Sequence, residues 1–320
     1  MQNIDVHTHI VPDNLPAAPG RSEAWPSVEL RGGGEAVVMV RGQVFREIDS
    51  RCWDIGRRID DMAEDGIDVQ VLSPMPELLS HWLPAGDADD LSKIINEKTA
   101  YMMAAAPGKF QGIGMVPMQD PALAAKRLED VRSLGLLGIE IGTHINGIPL
   151  GDERLDPVYA AAEALGLLIF IHPLHPIGGE RIGRRELTAV GSFPLETAFA
   201  TMSLLGSKVQ HRFPKLRILL SHAGGATPWI APRLDFGYSG GPLKNVMAEP
   251  ASDTLRRFWY DTITYDTAAL AYLSERVGSE RLVVGSDYPF TIRQPRPAEF
   301  AARALPKTNF EANAKVLFGK

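Results

Sequence analysis

Two histidines separated by one residue, His7 and His9 in the stretch "NIDVHTHIVP", are the first residues along the chain whose types and spacing could do chemistry. They follow a short apolar run that is typical of a β-strand. Alternate side chains of a strand point to the same face, so both imidazoles would project together from the strand end. Two imidazoles on one face can chelate a metal ion. The pair alone predicts little, because isolated histidines often lie in polar surface turns.

Three further polar residues end other strand-like runs. His172 ends "LLIFIHP", His222 ends "LRILLSHAGG" and Asp287 ends "RLVVGSDYPF". Several such residues at one topological position favour a common site over independent structural roles. Three imidazoles and one carboxylate suit zinc, manganese or iron and leave a coordination position for water or substrate. His222 could be a ligand as well, but with four ligands already assigned it is better placed as a general acid or base.

Eight short apolar or β-branched runs recur along the chain, and most are followed by an amphipathic helical segment such as "PALAAKRLEDVRSLG". The runs are "NIDV", "DVQVLS", "FQGIGMV", "LGIEIG", "LLIFIH", "LRILLSH", "FWYDTI" and "RLVVGSD". Eight alternating strands predict a parallel sheet, and eight is the number that closes a barrel. The predicted fold class is therefore α/β, a (β/α)8 TIM barrel, with an open doubly wound sheet as the alternative. In a barrel the carboxyl ends of the strands converge on one face.

One segment interrupts the alternation of strands and helices. Residues 12–48 include "SVELRGGGEAVVMVRGQVFREI", in which Gly-rich and Arg-Gly turns separate β-prone runs. This pattern predicts a small antiparallel β insertion after the first strand. We expect a single domain over residues 1–320 that contains this insertion. The glycines lack the sequel of a Walker or dinucleotide-binding loop, so no organic cofactor is predicted.

Composition and charge exclude several classes of function. With 320 residues, 45% of them hydrophobic, the chain can bury a large core. A net charge of -6 offers no basic footprint for nucleic acid or an anionic membrane. Cys52 is the only cysteine, so we interpret it as a buried or half-buried thiol in a reducing, cytoplasmic setting. Neither a targeting segment nor a membrane-spanning run is predicted.

Four motifs together make the sequence resemble a known family. "IDVHTH", the "HP" of the fifth strand, "SHAGG" and "GSDYPF" resemble the amidohydrolase superfamily and, within it, the aminocarboxymuconate semialdehyde decarboxylase family. "FREIDSRCWDIGRRIDDMAEDGIDVQV", "PGKFQGIGMVPMQD" and "LGIEIGTH" are similar to segments of that family in the same order. Agreement of this kind is more specific than a single His-x-His pair.

The resemblance implies a role for each matching residue. It implies a catalytic zinc ion, with manganese as an alternative, held by four ligands: His7, His9, His172 and Asp287. Asp287 is thereby a catalytic residue too, and His222 acts on a bound water. Arg46 in "VFREI" and Arg233 in "APRLDF" would bind substrate carboxylates, the second arginine across the interface of a homodimer. From spacing alone, both arginines would be interpreted as solvated surface charges.

Departures from the family bear on the metal count and on the substrate. The fourth strand reads "GIEIGTH", with Glu140 near the place where related hydrolases carry a metal-bridging lysine, which favours a mononuclear site. Leu174 and His175 stand where relatives have Trp and Asp, so the pocket wall has changed. His175 and His144 are left without a firm role. Residues expected on the surface are His81 and His211, and residues expected in core or interface packing are Trp53, Trp82 and Trp229.

The leading prediction is a metal-dependent, cofactor-free decarboxylase of an unsaturated or aromatic carboxylic acid, similar to aminocarboxymuconate semialdehyde or a hydroxybenzoate. This chemistry needs a Lewis acid, a proton donor for the carbanion-like centre and cations that orient carboxylates. The second prediction is a metal-dependent hydrolase of an ester, lactone or amide. A non-catalytic barrel that binds a small acid is the third. Release of carbon dioxide distinguishes the first from the second, and the third would not need an intact metal set.

Overall fold

The computed structural model describes residues 2–15, 18, 20–176, 178–184 and 186–319. The strands are β1 (Ile4–Ile10), β2 (Ser27–Gly32), β3 (Glu35–Val40), β4 (Gln43–Asp49), β5 (Val69–Pro74), β6 (Phe110–Gly112), β7 (Gly138–Gly142), β8 (His144–Ile145), β9 (Ile148–Pro149), β10 (Leu168–His172), β11 (Arg217–Leu220), β12 (Trp259–Asp261) and β13 (Leu282–Val283). The helices are α1 (Ile55–Asp65), α2 (Ala85–Ala105), α3 (Pro121–Ser133), α4 (Asp156–Leu165), α5 (Phe193–Gly206), α6 (Val209–Arg212), α7 (Thr227–Ser239), α8 (Ala251–Leu255), α9 (Thr267–Val277), α10 (Pro297–Ala304) and α11 (Phe310–Leu317). Of these helices, none combines the length and the apolar character needed to cross a membrane.

Eight parallel strands form the barrel that the sequence predicts. Hydrogen-bonded neighbours run β1-β5-β6 in one stretch and β7-β10-β11-β12-β13 in the other. Backbone hydrogen bonds join the two stretches: Gly114 N donates to Gly138 O at 2.9 Å, and Val6 N donates to Val284 O at 2.8 Å. The prediction of a (β/α)8 barrel is confirmed, and each of the eight predicted runs supplies one of its strands.

Local signals explain where the helices around the barrel begin and end. Asp54, Asp120 and Asp266 each accept a hydrogen bond from a backbone N–H in the first turn of α1, α3 and α9. Gly66 and Gly166 end α1 and α4 with φ of 70° and 65°, a conformation that favours glycine. The helices cover the sheet, so both of its faces are buried and strands such as β10 carry continuous apolar residues.

The predicted insertion is an antiparallel sheet of β2, β3 and β4. Arg41 and Gly42 form the turn between β3 and β4, both with positive φ, as a tight hairpin requires. Val38 of β3 lies opposite Arg46 of β4, which fixes the position of this arginine in the sheet. Positions 16, 17 and 19 of the predicted insertion lie outside the described residues. The antiparallel insertion is confirmed as part of the fold.

A buried guanidinium ties β1 to the helix layer. Arg58 of α1 is fully buried, and burial lowers its pKa. Its acceptors are His9 O and Arg51 O, both at 2.8 Å, and Gln70 Oε1 and Thr8 Oγ1, both at 3.1 Å. A buried cation is tolerated only when its donors are satisfied, so these bonds hold the strand that carries the histidine pair.

Replacing Arg58 by Met should lower the free energy of unfolding by about 3 kcal/mol, because buried carbonyl groups lose their donors. Arg57→Met is the matched control, since its side chain is 56% exposed and forms an ion pair with Asp61. That control should change stability by less than about 1 kcal/mol. Urea denaturation followed by circular dichroism measures both. Equal, small losses would show that the Arg58 contacts do not stabilise the barrel.

Candidate active site

Side chains from four barrel strands converge at the carboxyl end of the barrel. His7 and His9 come from β1, His172 ends β10, His222 follows β11, and Asp287 lies in the loop after β13. Asp287 Oδ1 is 3.1 Å from His7 Nε2, 3.2 Å from His9 Nε2 and 3.9 Å from His172 Nε2. Ligands at about 2.1 Å from a tetrahedral metal ion lie about 3.4 Å from one another. The donor atoms therefore have the separations of a metal site.

Backbone carbonyls select the tautomer of two imidazoles. His9 Nδ1 lies 3.0 Å from Pro74 O, and His172 Nδ1 lies 3.0 Å from Pro173 O. A carbonyl can only accept, so each Nδ1 carries the proton and donates it, which leaves the Nε2 lone pair facing the cluster. Nε2 of His172 is buried and has no hydrogen-bond partner among the described residues. An unpartnered lone pair beside a carboxylate is the chemistry that a metal ion satisfies.

His222 occupies a different side of the cluster. Its Nε2 lies 3.6 Å from Asp287 Oδ2, whereas the other three imidazoles face Oδ1. Its side chain is 13% exposed, while those of His7 and His9 are fully buried. His7, His172, His222 and Asp287 nonetheless offer donor atoms within 4.8 Å of one another. Distance alone admits His222 as a ligand, but its place on the Oδ2 side and its exposure suit contact with a substrate.

Asp261, at the end of β12, connects the histidines. Its Oδ2 accepts from His7 Nδ1 at 2.7 Å and from the backbone N–H of His222 at 2.8 Å, and its Oδ1 accepts from Ala223 N at 2.8 Å. His222 and Ala223 both have positive φ, which is uncommon for residues other than glycine. The carboxylate therefore orients one imidazole and holds the strained turn that carries another.

The charges around the cluster favour a cation at its centre. Burial lowers the pKa of His9 and, more strongly, that of His172, so both are neutral imidazoles, the form that binds metal. Burial would raise the pKa of Asp287, but the neighbouring imidazoles, His7 first, hold it well below its usual range. Burial would lower the pKa of His7, but Asp287 and Asp261 raise it to about 10. Two carboxylates thus stabilise positive charge here, whether of a proton or of a metal ion.

A cavity of about 550 Å³ opens above the cluster. His172, His222 and Asp287 lie at its base, and Arg46 reaches it from the insertion. The remaining wall is mainly apolar, and its apolar residues are Pro76, Leu174, Val190, Phe193, Pro194, Ala223, Ile263, Ala269, Phe290 and Ile292. The volume and the few convergent polar groups are those of a small-molecule site.

The two predicted arginines lie in different places. Arg46 lines the cavity, its guanidinium 4.8 Å from the Phe290 ring centroid. Arg233 is exposed on α7 and is not among the described residues that line the cavity of its own chain. The structure thus brings together the five cluster residues and Arg46, and leaves Arg233 outside.

Other residues singled out in the sequence lie away from the donor atoms. The prediction of a surface His81 is wrong: it is buried, and its Nε2 accepts from Gly142 N at 3.2 Å, because the turn after β5 folds back under β7. His144 Nε2 donates to His175 O at 3.1 Å. Glu140 is buried on the Nδ1 side of His9 at 3.8 Å, and burial raises its pKa to about 8. This carboxyl group lies on the side of the His9 ring away from the Nε2 atom that faces the cluster.

His211, Cys52 and three tryptophans, for which the sequence predicts surface, core or interface positions, lie outside the cluster of donor atoms. His211 is half-buried and lies 3.4 Å from Glu249, and the Cys52 thiol is buried as expected. Trp229 is 77% exposed, so the prediction that it packs in the core is wrong. Packing at an interface stays a prediction. Trp53 and Trp82 are half-buried against a core cluster.

Two residues of the site were missed from sequence: Asp261 and Glu77. Asp261 ends the run "FWYDTI", the same topological position as the other site residues, and that position was the available signal. Glu77 lies in a single helical turn after β5 and lines the cavity beside Arg46. Nothing in its local sequence distinguishes it from a surface carboxylate.

Asp261→Asn should weaken metal binding by about ten- to a hundredfold, because it weakens the hydrogen bond that orients His7. Asp266→Asn is the matched control, a carboxylate five positions along the chain that caps α9. Its metal affinity should equal that of the wild type. Competition with a chromophoric chelator measures the affinities. Unchanged affinity in Asp261→Asn would contradict the positioning role.

Comparison with known proteins identifies the family to which the chain belongs. The amidohydrolase family model matches residues 4–317. The chain is 34% identical over 301 residues to 2-amino-3-carboxymuconate-6-semialdehyde decarboxylase of Dictyostelium discoideum, covering 92% of this chain and 84% of that one. It is 29% identical to the crystal structure of 5-carboxyvanillate decarboxylase LigW from Sphingomonas paucimobilis, with a TM-score of 0.74 and 84% coverage of both chains.

A second structure shares the fold at lower identity. Dihydroxybenzoic acid decarboxylase from Polaromonas sp. JS666, solved with bound manganese and an inhibitor, is 24% identical with a TM-score of 0.77, covering 100% of this chain and 97% of that one. The family model matches nearly the whole chain. The Dictyostelium discoideum decarboxylase is 34% identical to it over 92% of the chain. The chain therefore belongs to the amidohydrolase family, among the relatives of aminocarboxymuconate semialdehyde decarboxylase.

Proposed function

We propose that this protein is a metal-dependent carboxy-lyase that removes carbon dioxide from an unsaturated or aromatic carboxylic acid without an organic cofactor. The observation that carries the proposal is the convergence of His7, His9, His172, His222 and Asp287 in one cluster, of which His172, His222 and Asp287 line a mainly apolar cavity. The named decarboxylases among its relatives support the reaction type. Similarity to the muconate semialdehyde and hydroxybenzoate enzymes supports the substrate class.

The proposed ligands of a single metal ion are His7, His9, His172 and Asp287. Zinc is the first choice because three imidazoles and a carboxylate suit it, and manganese is the alternative because the dihydroxybenzoic acid decarboxylase holds that ion. When bound, the metal supplies a Lewis acid that orients oxygen substituents of the substrate. Asp261 keeps the His7 imidazole directed at the metal position.

The remaining residues would bind the substrate and move a proton. Arg46 orients a carboxylate, and the apolar wall excludes water from the reacting carbon. As the carbon–carbon bond breaks, carbon dioxide leaves and the bonding electron pair stays on the substrate carbon. His222 then donates a proton to that carbon and recovers one from solvent. Its exposed side in the cavity allows both contacts.

The assembly that we propose is a homodimer in which Arg233 of one chain enters the site of its partner. Trp229, Arg233 and Phe236 lie four and three positions apart on α7, so they share a helix face. Trp229 is 77% and Phe236 79% exposed, a large apolar surface for a single chain.

We further propose a single domain over 1–320 with the insertion at 12–48, and a cytoplasmic location, consistent with the one buried thiol.

The proposal is tested by incubating metal-loaded protein with a panel of hydroxybenzoates and muconate semialdehydes while measuring released carbon dioxide. Metal-dependent release from at least one acid is expected, and the chelated protein is the control. Hydrolysis of esters, lactones or amides without carbon dioxide release would assign the hydrolase function instead. Tight binding of an acid with no reaction and no need for metal would indicate a non-catalytic barrel.

His222→Asn should retain the metal while lowering the decarboxylation rate by about a hundredfold or more, because the proton donor is lost while the proposed ligands remain. Elemental analysis and carbon dioxide release measure the two effects separately. Loss of the metal would make His222 a ligand. A wild-type rate with metal retained would make it a structural residue.

Mixing two inactive arginine variants tests the shared site. Arg46→Ala and Arg233→Ala proteins are unfolded together in equal amounts and refolded, each variant refolded alone being the control. Half of the dimers are then mixed, and each mixed dimer has one intact site, so about a quarter of wild-type activity should return. If both arginines of a site came from the same chain, every site would lack one arginine, and mixing would restore no activity. No recovery with mixed dimers present would contradict the shared site.

A further inference from the structure

The loop between β12 and α9 brings to the cavity a tyrosine that the proposed reaction does not use. Tyr265 of this loop lines the cavity. In the barrel β12 lies between β11 and β13, so its loop emerges between the turn that carries His222 and the loop that carries Asp287. Arg46, in contrast, comes from the insertion between β1 and β5. Tyr265 therefore reaches the cavity beside His222 and Asp287, and Arg46 reaches it from another element.

The backbone holds Tyr265 in an uncommon conformation. Its φ is 56°, in the left-handed region that residues other than glycine rarely adopt. The neighbouring residues are fixed: Thr264 Oγ1 donates to Asp266 O at 2.9 Å, and Asp266 Oδ1 accepts from Ala269 N at 2.8 Å as the cap of α9. Such strained positions persist where the surrounding structure imposes them, and they are concentrated at ligand-binding sites.

The hydroxyl of Tyr265 is available to a bound molecule. Tyr265 is 51% exposed, and no described residue forms a hydrogen bond with its hydroxyl. Thr264 also lines the cavity, but its hydroxyl is satisfied within the loop. Burial raises the pKa of the Tyr265 hydroxyl, and the charges of Asp287 and Asp261 raise it further. The side chain is thus accessible, lies in a concave part of the surface and keeps its proton.

A protonated phenol in this position favours a ligand that offers an oxygen atom. The phenol O–H is a strong donor, because the lone pairs of its oxygen are partly delocalised into the ring. A hydroxyl, methoxy or carbonyl oxygen can accept its hydrogen bond, whereas a methyl group of similar size cannot. A ligand that displaces water from the hydroxyl without replacing the hydrogen bond loses affinity.

Building on the proposed function, we propose that Tyr265 is a specificity-determining residue that selects acids carrying an oxygen substituent on the His222 side of the cavity. The Tyr265 hydroxyl donates a hydrogen bond to that oxygen. Arg46 binds a carboxylate as before, so the two residues recognise different groups of one substrate. Acids with a methyl group at the position of the oxygen are disfavoured.

Tyr265→Phe tests this assignment because it removes one hydroxyl and keeps the ring. Tyr101→Phe is the matched control: Tyr101 lies on α2, is 62% exposed and is not among the described residues that line the cavity. Each variant loses the hydroxyl of an exposed tyrosine, so the fold and the metal content should equal those of the wild type. Circular dichroism and elemental analysis check both properties.

The measurement compares 2-hydroxybenzoates that carry hydroxyl, methoxy or methyl at one ring position at a time. The ratio of kcat/KM for carbon dioxide release, oxygen compound over methyl compound, is determined for each protein, so that the intrinsic reactivity of the compounds cancels between proteins. At one position this ratio should be about fivefold or more higher in the wild type and Tyr101→Phe than in Tyr265→Phe. The same ratio in all three proteins at every position would overturn the inference, even if Tyr265→Phe were uniformly slower.

A parallel binding experiment separates this inference from the proposed function. The same compounds are titrated calorimetrically into metal-loaded wild type and Tyr265→Phe. If no acid releases carbon dioxide but the preference for oxygen substituents in binding depends on Tyr265, the decarboxylase function fails and the recognition role stands. If carbon dioxide is released but the preference in neither rate nor binding depends on the Tyr265 hydroxyl, the recognition role fails alone.

Discussion

The junction between the first and the last barrel strand is the constraint on which the site depends. His9 N donates to Tyr288 O at 2.6 Å and Asp287 N donates to His7 O at 2.9 Å, so the loop after β13 is bonded directly to β1. Asp5 strengthens this junction, since its carboxylate accepts from Ser286 N and Ser286 Oγ at 3.0 and 2.5 Å. Closing the barrel therefore places the carboxylate of Asp287 among imidazoles that are far away in the chain.

The charges at this junction make the cluster suited to a cation. Asp261 and Asp287 lie on either side of His7, while carbonyl acceptors keep His9 and His172 in the tautomer that directs Nε2 inward. Asp261 also bonds to the backbone of the His222 turn, so one carboxylate orients a proposed ligand and the proposed proton donor together. Above them the apolar cavity lowers the local dielectric, which strengthens the interaction of this cluster with an anionic substrate.

Much of this arrangement could be predicted because it depends on periodicity and topology. Eight apolar runs predicted eight strands. The polar residues at the ends of these runs predicted a common site on one face of the barrel, because the carboxyl ends of parallel strands meet there. Asp261 also lies at the end of a strand, but the sequence analysis does not predict it as a site residue, because a carboxylate after an aromatic strand has no motif of its own. The positions of His81 and Glu77 depend on how the turn after β5 folds. Side-chain packing determines that fold, and the local sequence does not. The proposed role of the exposed Arg233 would depend on an assembly of two chains, which the pattern of one chain cannot specify.

We propose that barrel closure builds one metal site from four side chains. A crystal structure of the metal-loaded protein, with anomalous scattering recorded on both sides of the metal absorption edge, tests it most directly. We expect one anomalous peak per chain, within about 2.3 Å of His7 Nε2, His9 Nε2, His172 Nε2 and a carboxylate oxygen of Asp287. Two peaks bridged through Glu140, or one peak away from these four side chains, would contradict it.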